Sequence, residues 1–414
     1  MVNTGSIFHS GGTRRIEPPA RSLERLLPQL GKFGITRLAN ITGLDWIGIP
    51  VVTAIRPLSR SLVVAQGKGV TLLDAKVSAL MESIELFHAE RPAIPVRIAS
   101  LRDLAREGAA IIDCTRLPRS GAEPFDEAQA IAWTVGTDLI AGTGLWVPYA
   151  CVAVDDSLSA LPIPHGIPVH SNGLASGNSI EEATVHALCE LIERDAIALW
   201  HAGPDDYREG TAVDPVSIDD PLCRALIDKY ERAGIDVHLF DLTSDIGLPV
   251  YEVFIRERTR AGDRAAFSAV GSGCHPWRGI ALSRALTEAA QCRLTHIAGA
   301  REDLAQGDYA VSPERMRQIA RYTSLTRAPG RRFRDEKDVE PDPGESFAAT
   351  LARIVDALRA VGCPQIVSID LTSPSHGISV VRLLVPGLEG LAFDVDYAPG
   401  QRLRRINAAA GAAA

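Results

Sequence analysis

Apolar positions recur at helical spacing over three long stretches: Leu72 to about Glu90, about Ile180 to Trp200, and about Ala281 to Ala300. Each predicts a long helix. Asn178 or Ser179 can cap the second, with Glu181 and Glu182 in its first turn. Elsewhere the pattern is that of strands. Residues 34–57 alternate short apolar runs with Gly and Pro, and 131–154 reads as a β-hairpin turning at Gly142 and Gly144. DLTS occurs twice, from Asp241 and from Asp370, each time between an apolar run and a β-rich one. That echo suggests pseudo-symmetric halves or one hairpin used twice, although DLTS can also be no more than a convenient turn. Residues 1–20 read as an N-terminal arm, 322–345 as an exposed, mobile loop, and 401–414 as a flexible tail. Strands and helices follow no regular βαβ spacing, and neither GxGxxG nor GxxxxGK[ST] is present. The fold class expected is α+β, with antiparallel or mixed sheets carrying long helices.

Composition narrows the partners. Of 414 residues, 46% are apolar and 23% charged, as in soluble globular proteins. Lys plus Arg number 43 against 51 Asp plus Glu, a formal charge of -8, which argues against nucleic acid as the main partner. Seven cysteines are scattered without a CxxC pair, which fits a reducing compartment. No apolar run is long enough to span a bilayer, so a cytoplasmic protein with no membrane partner is expected.

The candidate chemistry lies on the three helices. The first carries Ser78, Glu82 and Glu85, the second Glu190, Glu193 and Arg194, and the third Glu288, Gln291 and Arg293. In each, a Glu is followed three residues later by Glu or Gln, and positions i and i+3 share a helix face. Their neighbours are apolar (Leu80, Met81 and Ile84 around Glu82; Leu188, Leu191 and Ile192 around Glu190 and Glu193). Carboxylates on core helices must be paired or bind cations, because burying bare charge is costly. One such pair alone reads as a surface feature. Three in succession describe an oxygen-rich site for Mg²⁺, with Arg194 and Arg293 available to phosphate. GKG (67–69) and SNGLASG (171–177) enter the first two helices and can offer backbone N–H groups to an anion. Asn172 is a candidate ligand to ribose or phosphate, or a turn-former. Cys189, Cys292, His88, His186 and His296 read as helix-packing residues.

The runs GKGVTLLDAKVSALMESIE (67–85), SNGLASGNSIEEATVHALCELIERDA (171–196) and ALSRALTEAAQCRLTHIAG (281–299) resemble the signature blocks of the YcaO family, in that family's order. The resemblance implies a catalytic domain over 21–400 that binds ATP and Mg²⁺ without a P-loop and activates a peptide backbone amide. It implies ATP contacts from Arg14, Lys68, Ser78, Glu82, Asn172, Glu190, Arg194, Gln291 and Arg293. Metal ligation is implied for Glu82, Glu85, Glu190, Glu193 and Glu288. No protein nucleophile is needed: a sulfur or oxygen nucleophile adds to the amide carbonyl, and the oxygen leaves as phosphate. One departure is visible, Leu86 where the family's first block usually ends in Arg. That variant and the opening GGTRRIEPPARSLERL resemble members found with TfuA proteins, which make thioamides. An external sulfur donor would give a thioamide, and a substrate Cys or Ser side chain an azoline. The absence of a PxPxP ending favours the thioamide. A non-catalytic peptide-docking scaffold is the alternative of another class. The partners expected are a precursor peptide or protein, a TfuA-like or leader-binding protein, a sulfur donor, and a second copy of the chain in a homodimer.

Overall fold

The structure, a computed structural model, describes residues 7–10, 12–121, 125–155, 161–258, 267–309, 312–326, 330–334, 340–390 and 396–413. Its frame is three strand–helix pairs, labelled here β1 (Val64–Lys68) with α1 (Leu72–Glu90), β2 (Leu174–Gly177) with α2 (Ile180–Ala202), and β3 (Ser268–Cys274) with α3 (Arg278–Ala298).

Local chemistry sets the helix ends. Thr71 accepts from Asp74 N at 3.2 Å while Asp74 accepts from Thr71 N at 3.0 Å, a reciprocal cap that starts α1. Ser179, rather than Asn178, caps α2 by accepting from Glu182 N at 3.2 Å. Helix α3 stops at Gly299, whose φ of 56° is the left-handed conformation that glycine adopts freely. Each helix runs through one apolar cluster, with Leu80 and Ile84 of α1, Leu188 and Ile192 of α2, and Leu282 and Leu286 of α3 fully buried.

The sheets are antiparallel, in line with the expected α+β class. β1 is the edge of a three-stranded sheet with Arg37–Asn40 and Val51–Ile55, and β3 the edge of one with Ile235–Asp241 and Val250–Glu257. β2 is the edge of a six-stranded sheet, followed in order by Ser379–Leu384, Val367–Asp370, Ile131–Asp138 and Arg97–Ala99. The predicted hairpin is the pairing of Ile131–Asp138 with Gly144–Pro148 in that sheet.

The two DLTS segments form the same turn. Thr243 N donates to Asp241 Oδ1 at 2.9 Å, and Thr372 N to Asp370 Oδ1 at 2.8 Å. Leu242 and Leu371 then each donate across the turn at 2.8 Å, to Val250 O and Val380 O. The two hairpins lie in different sheets, so the repeat is of a local device.

The expected N-terminal arm holds the strand pair Phe8–Ser10 and Thr13–Arg15 and the start of the helix Pro19–Leu26. Two other boundary expectations need correction. Within 322–345, Tyr322, Leu325 and Phe333 are buried, and Tyr322 stacks on Phe254 at 4.5 Å, so these residues are core. Residues 327–329 and 335–339 of that stretch lie outside the described residues. The tail is the helix Gln401–Ala413, docked on α2 through buried Leu403 and through Arg402, whose Nε lies 3.0 Å from Asp195 Oδ1. Apolar and ionic anchors spaced between polar residues defeat a compositional reading of such segments.

Candidate functional site

The three pairs share one geometry. Each strand carries a glycine pressed onto a helix backbone. A Cβ on Gly67 would stand 2.7 Å from Ala79 Cα, one on Gly177 2.6 Å from Ala183 N, and one on Gly273 2.7 Å from Ala285 N. Only a residue without a side chain permits that approach. At the second and third pairs the residue before the glycine donates to a carboxylate, and at the first the Gln66 backbone N–H lowers the pKa of Glu82. Ser176 donates to Glu85 Oε1 from N at 2.8 Å and from Oγ at 2.6 Å. Ser272 Oγ lies 2.8 Å from Glu193 Oε1 and 3.1 Å from Glu288 Oε1. Glu190 accepts from Gly173 N at 3.2 Å. Strand donors thus aim helix-borne carboxylates into the space where the three helices face one another.

That space is a cavity of about 560 Å³, and Glu82, Glu85, Glu190, Glu193 and Glu288 all line it, with Lys68, Ser78, Arg194 and Gln291. Burial pushes Glu82 up to about 7 and Glu85 up to about 8, and it raises Glu190 as well. Burial also acts against Glu288, but Lys68, which bonds it, and Arg194 outweigh that and hold its carboxyl below the usual range. Arg194 stands 3.9 Å from both Glu190 and Glu193.

The residues fit a metal–polyphosphate ligand. The acidic donors are oxygens, which suit Mg²⁺ over softer metals. Among the described residues no three acidic, His or Cys groups close around a single point. An ion here would therefore complete its shell with phosphate oxygens and water, as Mg²⁺ commonly does. Orphaned donors fit the anion. Arg284 Nη2 lies 3.0 Å from His186 Nε2, which leaves Arg284 Nε and His186 Nδ1 buried and unpartnered at the cavity wall. Burial, with Arg284 beside it, keeps His186 far below its ordinary pKa and so neutral.

Three expected residues lie elsewhere. Arg14 is 3% exposed, with its guanidinium 4.4 Å from the Trp277 ring and 4.9 Å from Phe347, and it is the next residue, Arg15, that lines the cavity and pairs with Glu182 at 3.5 Å. Arg293 points off the far side of α3, where it meets Asp45 at 3.2 Å and Glu257 at 2.5 Å. Two positions past Gln291 is the wrong side of a helix for the same cavity. Asn172 donates to Gly390 O at 2.8 Å, a loop contact. Conversely His186, read as a packing residue, lines the cavity, whereas His88 bonds Ile84 O at 2.8 Å and His296 bonds Cys292 O at 2.9 Å. Cys189 is buried. Cys292 reaches the cavity, but burial pushes its thiol up to about 12.

Sequence reasoning missed Arg15, Asn178, Glu182, Arg284 and Arg301, which also line the cavity. The recurrent Ser–Gly pair (Ser176–Gly177, Ser272–Gly273) was a usable signal for the strand donors. Arg301 follows the end of α3 in an irregular segment and carried none.

The model of the YcaO family, described as cyclodehydratase, ATP- and Mg²⁺-binding, matches residues 66–389. The chain belongs to the YcaO family. ATP and Mg²⁺, the family's cofactors, are those that the oxygen-rich cavity suits. This YcaO chain is 36% identical over 380 residues, 91% of its length and 88% of the other's, to an uncharacterized protein in the tfuA 3′ region of Rhizobium leguminosarum bv. trifolii. Its fold is similar to that of YcaO from Methanopyrus kandleri bound with AMPPCP and Mg²⁺ (TM-score 0.72, 22% identity, 95% of this chain and 98% of that one). It is also similar to a heterocyclase in complex with substrate and cofactor (TM-score 0.74, 23% identity, 98% of this chain), of whose length the YcaO chain spans 57%. Among the described residues no helix is long and apolar enough to cross a membrane.

Proposed function

We propose that the chain uses ATP and Mg²⁺ to activate a peptide backbone amide by phosphorylating its oxygen, and that the product is a thioamide in a ribosomally made peptide or protein. The observation that carries the reading is the convergence of five carboxylates, Lys68, Arg194 and the unpartnered donors of Arg284 and His186 on one cavity. Bound Mg²⁺ would supply charge neutralisation for the polyphosphate and for the oxyanion that develops on the amide. Glu82, Glu85, Glu190, Glu193 and Glu288 would supply the metal's protein ligands, no more than two of them to one ion, while Lys68, Arg194 and Arg284 would bind phosphate oxygens. No side chain serves as nucleophile, in keeping with the protonated thiol of Cys292. Sulfur from an external donor adds to the carbonyl carbon, and the former amide oxygen departs with the γ-phosphoryl group as phosphate.

Likeness to the protein in a tfuA 3′ region supports a TfuA-like partner and the thioamide over the azoline. The test is incubation with ATP, Mg²⁺, sulfide and a candidate peptide, read by ADP release and peptide mass. Exchange of oxygen for sulfur, lost in Glu190→Gln, is the expected result. Loss of one water instead would redirect the product to an azoline. An absence of turnover in every condition would favour a peptide-docking scaffold.

A further inference from the structure

Two of the five carboxylates meet at one hydroxyl. Ser272 Oγ is within hydrogen-bond distance of Glu193 on α2 and of Glu288 on α3, and Ser272 N–H also donates to the same Glu288 oxygen at 3.3 Å. A serine hydroxyl has one proton, so it satisfies only one of those acceptors at a time. Ser176, by comparison, spends both its donors on a single carboxylate, Glu85. Ser272 is 4% exposed. The glycines on either side pin it against α3: a Cβ on Gly271 would stand 2.7 Å from the Glu288 carbonyl carbon, and one on Gly273 2.7 Å from Ala285 N. The serine therefore sits at a fixed height on the helix that bears Glu288, and it draws the Glu193 oxygen of a different helix to the same point.

We infer that Ser272 is a positioning residue for the divalent cation. It turns one oxygen each of Glu193 and Glu288 to a common point, where a divalent ion would add to the compensation that Lys68, bonded to Glu288, and Arg194, 3.9 Å from Glu193, already give. The role rests on the Mg²⁺–nucleotide reading of the cavity. Ser272 itself need not touch the ion, because a partner that orients metal-binding carboxylates controls affinity from outside the coordination shell.

The test is calorimetric titration of AMPPCP into the full chain at a series of Mg²⁺ concentrations, alongside thermal melting of the chain without nucleotide. Loss of such an orienting partner typically costs about 10- to 100-fold in metal affinity. Ser272→Ala is expected to raise the Mg²⁺ needed for half-maximal AMPPCP binding about 10-fold, and Ser272→Thr, which keeps the hydroxyl, to recover most of that loss. Should Ser272→Ala fail to fold, Ser272→Cys, which keeps the size but donates weakly, carries the same expectation. An unchanged Mg²⁺ midpoint in the folded variant overturns the role. So does a loss of AMPPCP affinity that added Mg²⁺ does not restore. An absence of AMPPCP binding by the unaltered chain would overturn the nucleotide reading and this role together.

Discussion

Gly271→Ala probes whether close strand–helix contact holds the site together. The new Cβ would lie 2.7 Å from the Glu288 carbonyl carbon and nearer still to Ala289 N and Ala285 O. Carbon atoms pack comfortably at about 3.5–4.0 Å, so β3 must retreat from α3 by roughly 1 Å. The obstructing atoms are helix backbone and cannot rotate aside, which puts the cost near the upper end, about 3 kcal/mol, of the usual overpacking penalty. Lower chain entropy in the unfolded state returns about 0.4–1 kcal/mol. The net loss is about 2 kcal/mol, or roughly 0.7 M in urea midpoint at a slope of about 3 kcal/mol/M. Urea titration by tryptophan fluorescence measures it, and calorimetry with AMPPCP and Mg²⁺ reads the site. Retreat of β3 carries Ser272 away from Glu193 and Glu288, so nucleotide binding should weaken as well. Gly43→Ala is the control, since nothing lies within 4 Å of its added Cβ, and it should leave both readouts in place. A Gly271→Ala chain that matched the parent in midpoint and in AMPPCP affinity would refute the reasoning.

Two further outcomes are expected. Arg402→Ala leaves Asp195, 0% exposed, as a buried carboxylate without its cation. Removing one partner of such a pair costs about 3 kcal/mol or more, so melting should fall and amides of the helix Gln401–Ala413 should exchange faster; unchanged exchange there would count against the docking. His170 Nδ1 accepts from Asn172 N at 3.1 Å, and burial, with Arg382 beside it, pushes its pKa down to about 3. Below about pH 6.5 the unfolded chain takes up a proton that the native imidazole refuses, so stability declines on acidification and reaches a loss of about 2 kcal/mol at pH 5. His170→Asn should flatten urea midpoints measured between pH 7 and pH 5, and an equal slope in the variant would dismiss this source of the dependence.

Much of the site was legible because helical spacing is a local property. Glu82 with Glu85, and Glu190 with Glu193, must share a face wherever the helix sits, and Leu86 beside Glu85 did not disturb that. Arg293 shows the limit of the same inference. Its nearness in sequence to Gln291 suggested a common role, yet a displacement of two residues turns a side chain to the other flank, here toward Asp45 and Glu257. Arg14 and Arg15 divide similarly, one under Trp277 and the other in the cavity, since alternate residues of a strand face opposite ways.

The amino-acid order by itself determined that three apolar rods would form, to within a few residues where they would lie, and which edge of each would bear acid. Periodicity and caps act within a few residues, so no distant part of the chain is needed to read them. Tertiary structure alone decided that Ser176 and Ser272 would hold carboxylates borne on other elements, that Arg284 would leave His186 with an unsatisfied proton, and that the C-terminal residues would become a docked helix. Those contacts join residues far apart along the chain, and packing chooses among the partners that local rules leave equivalent.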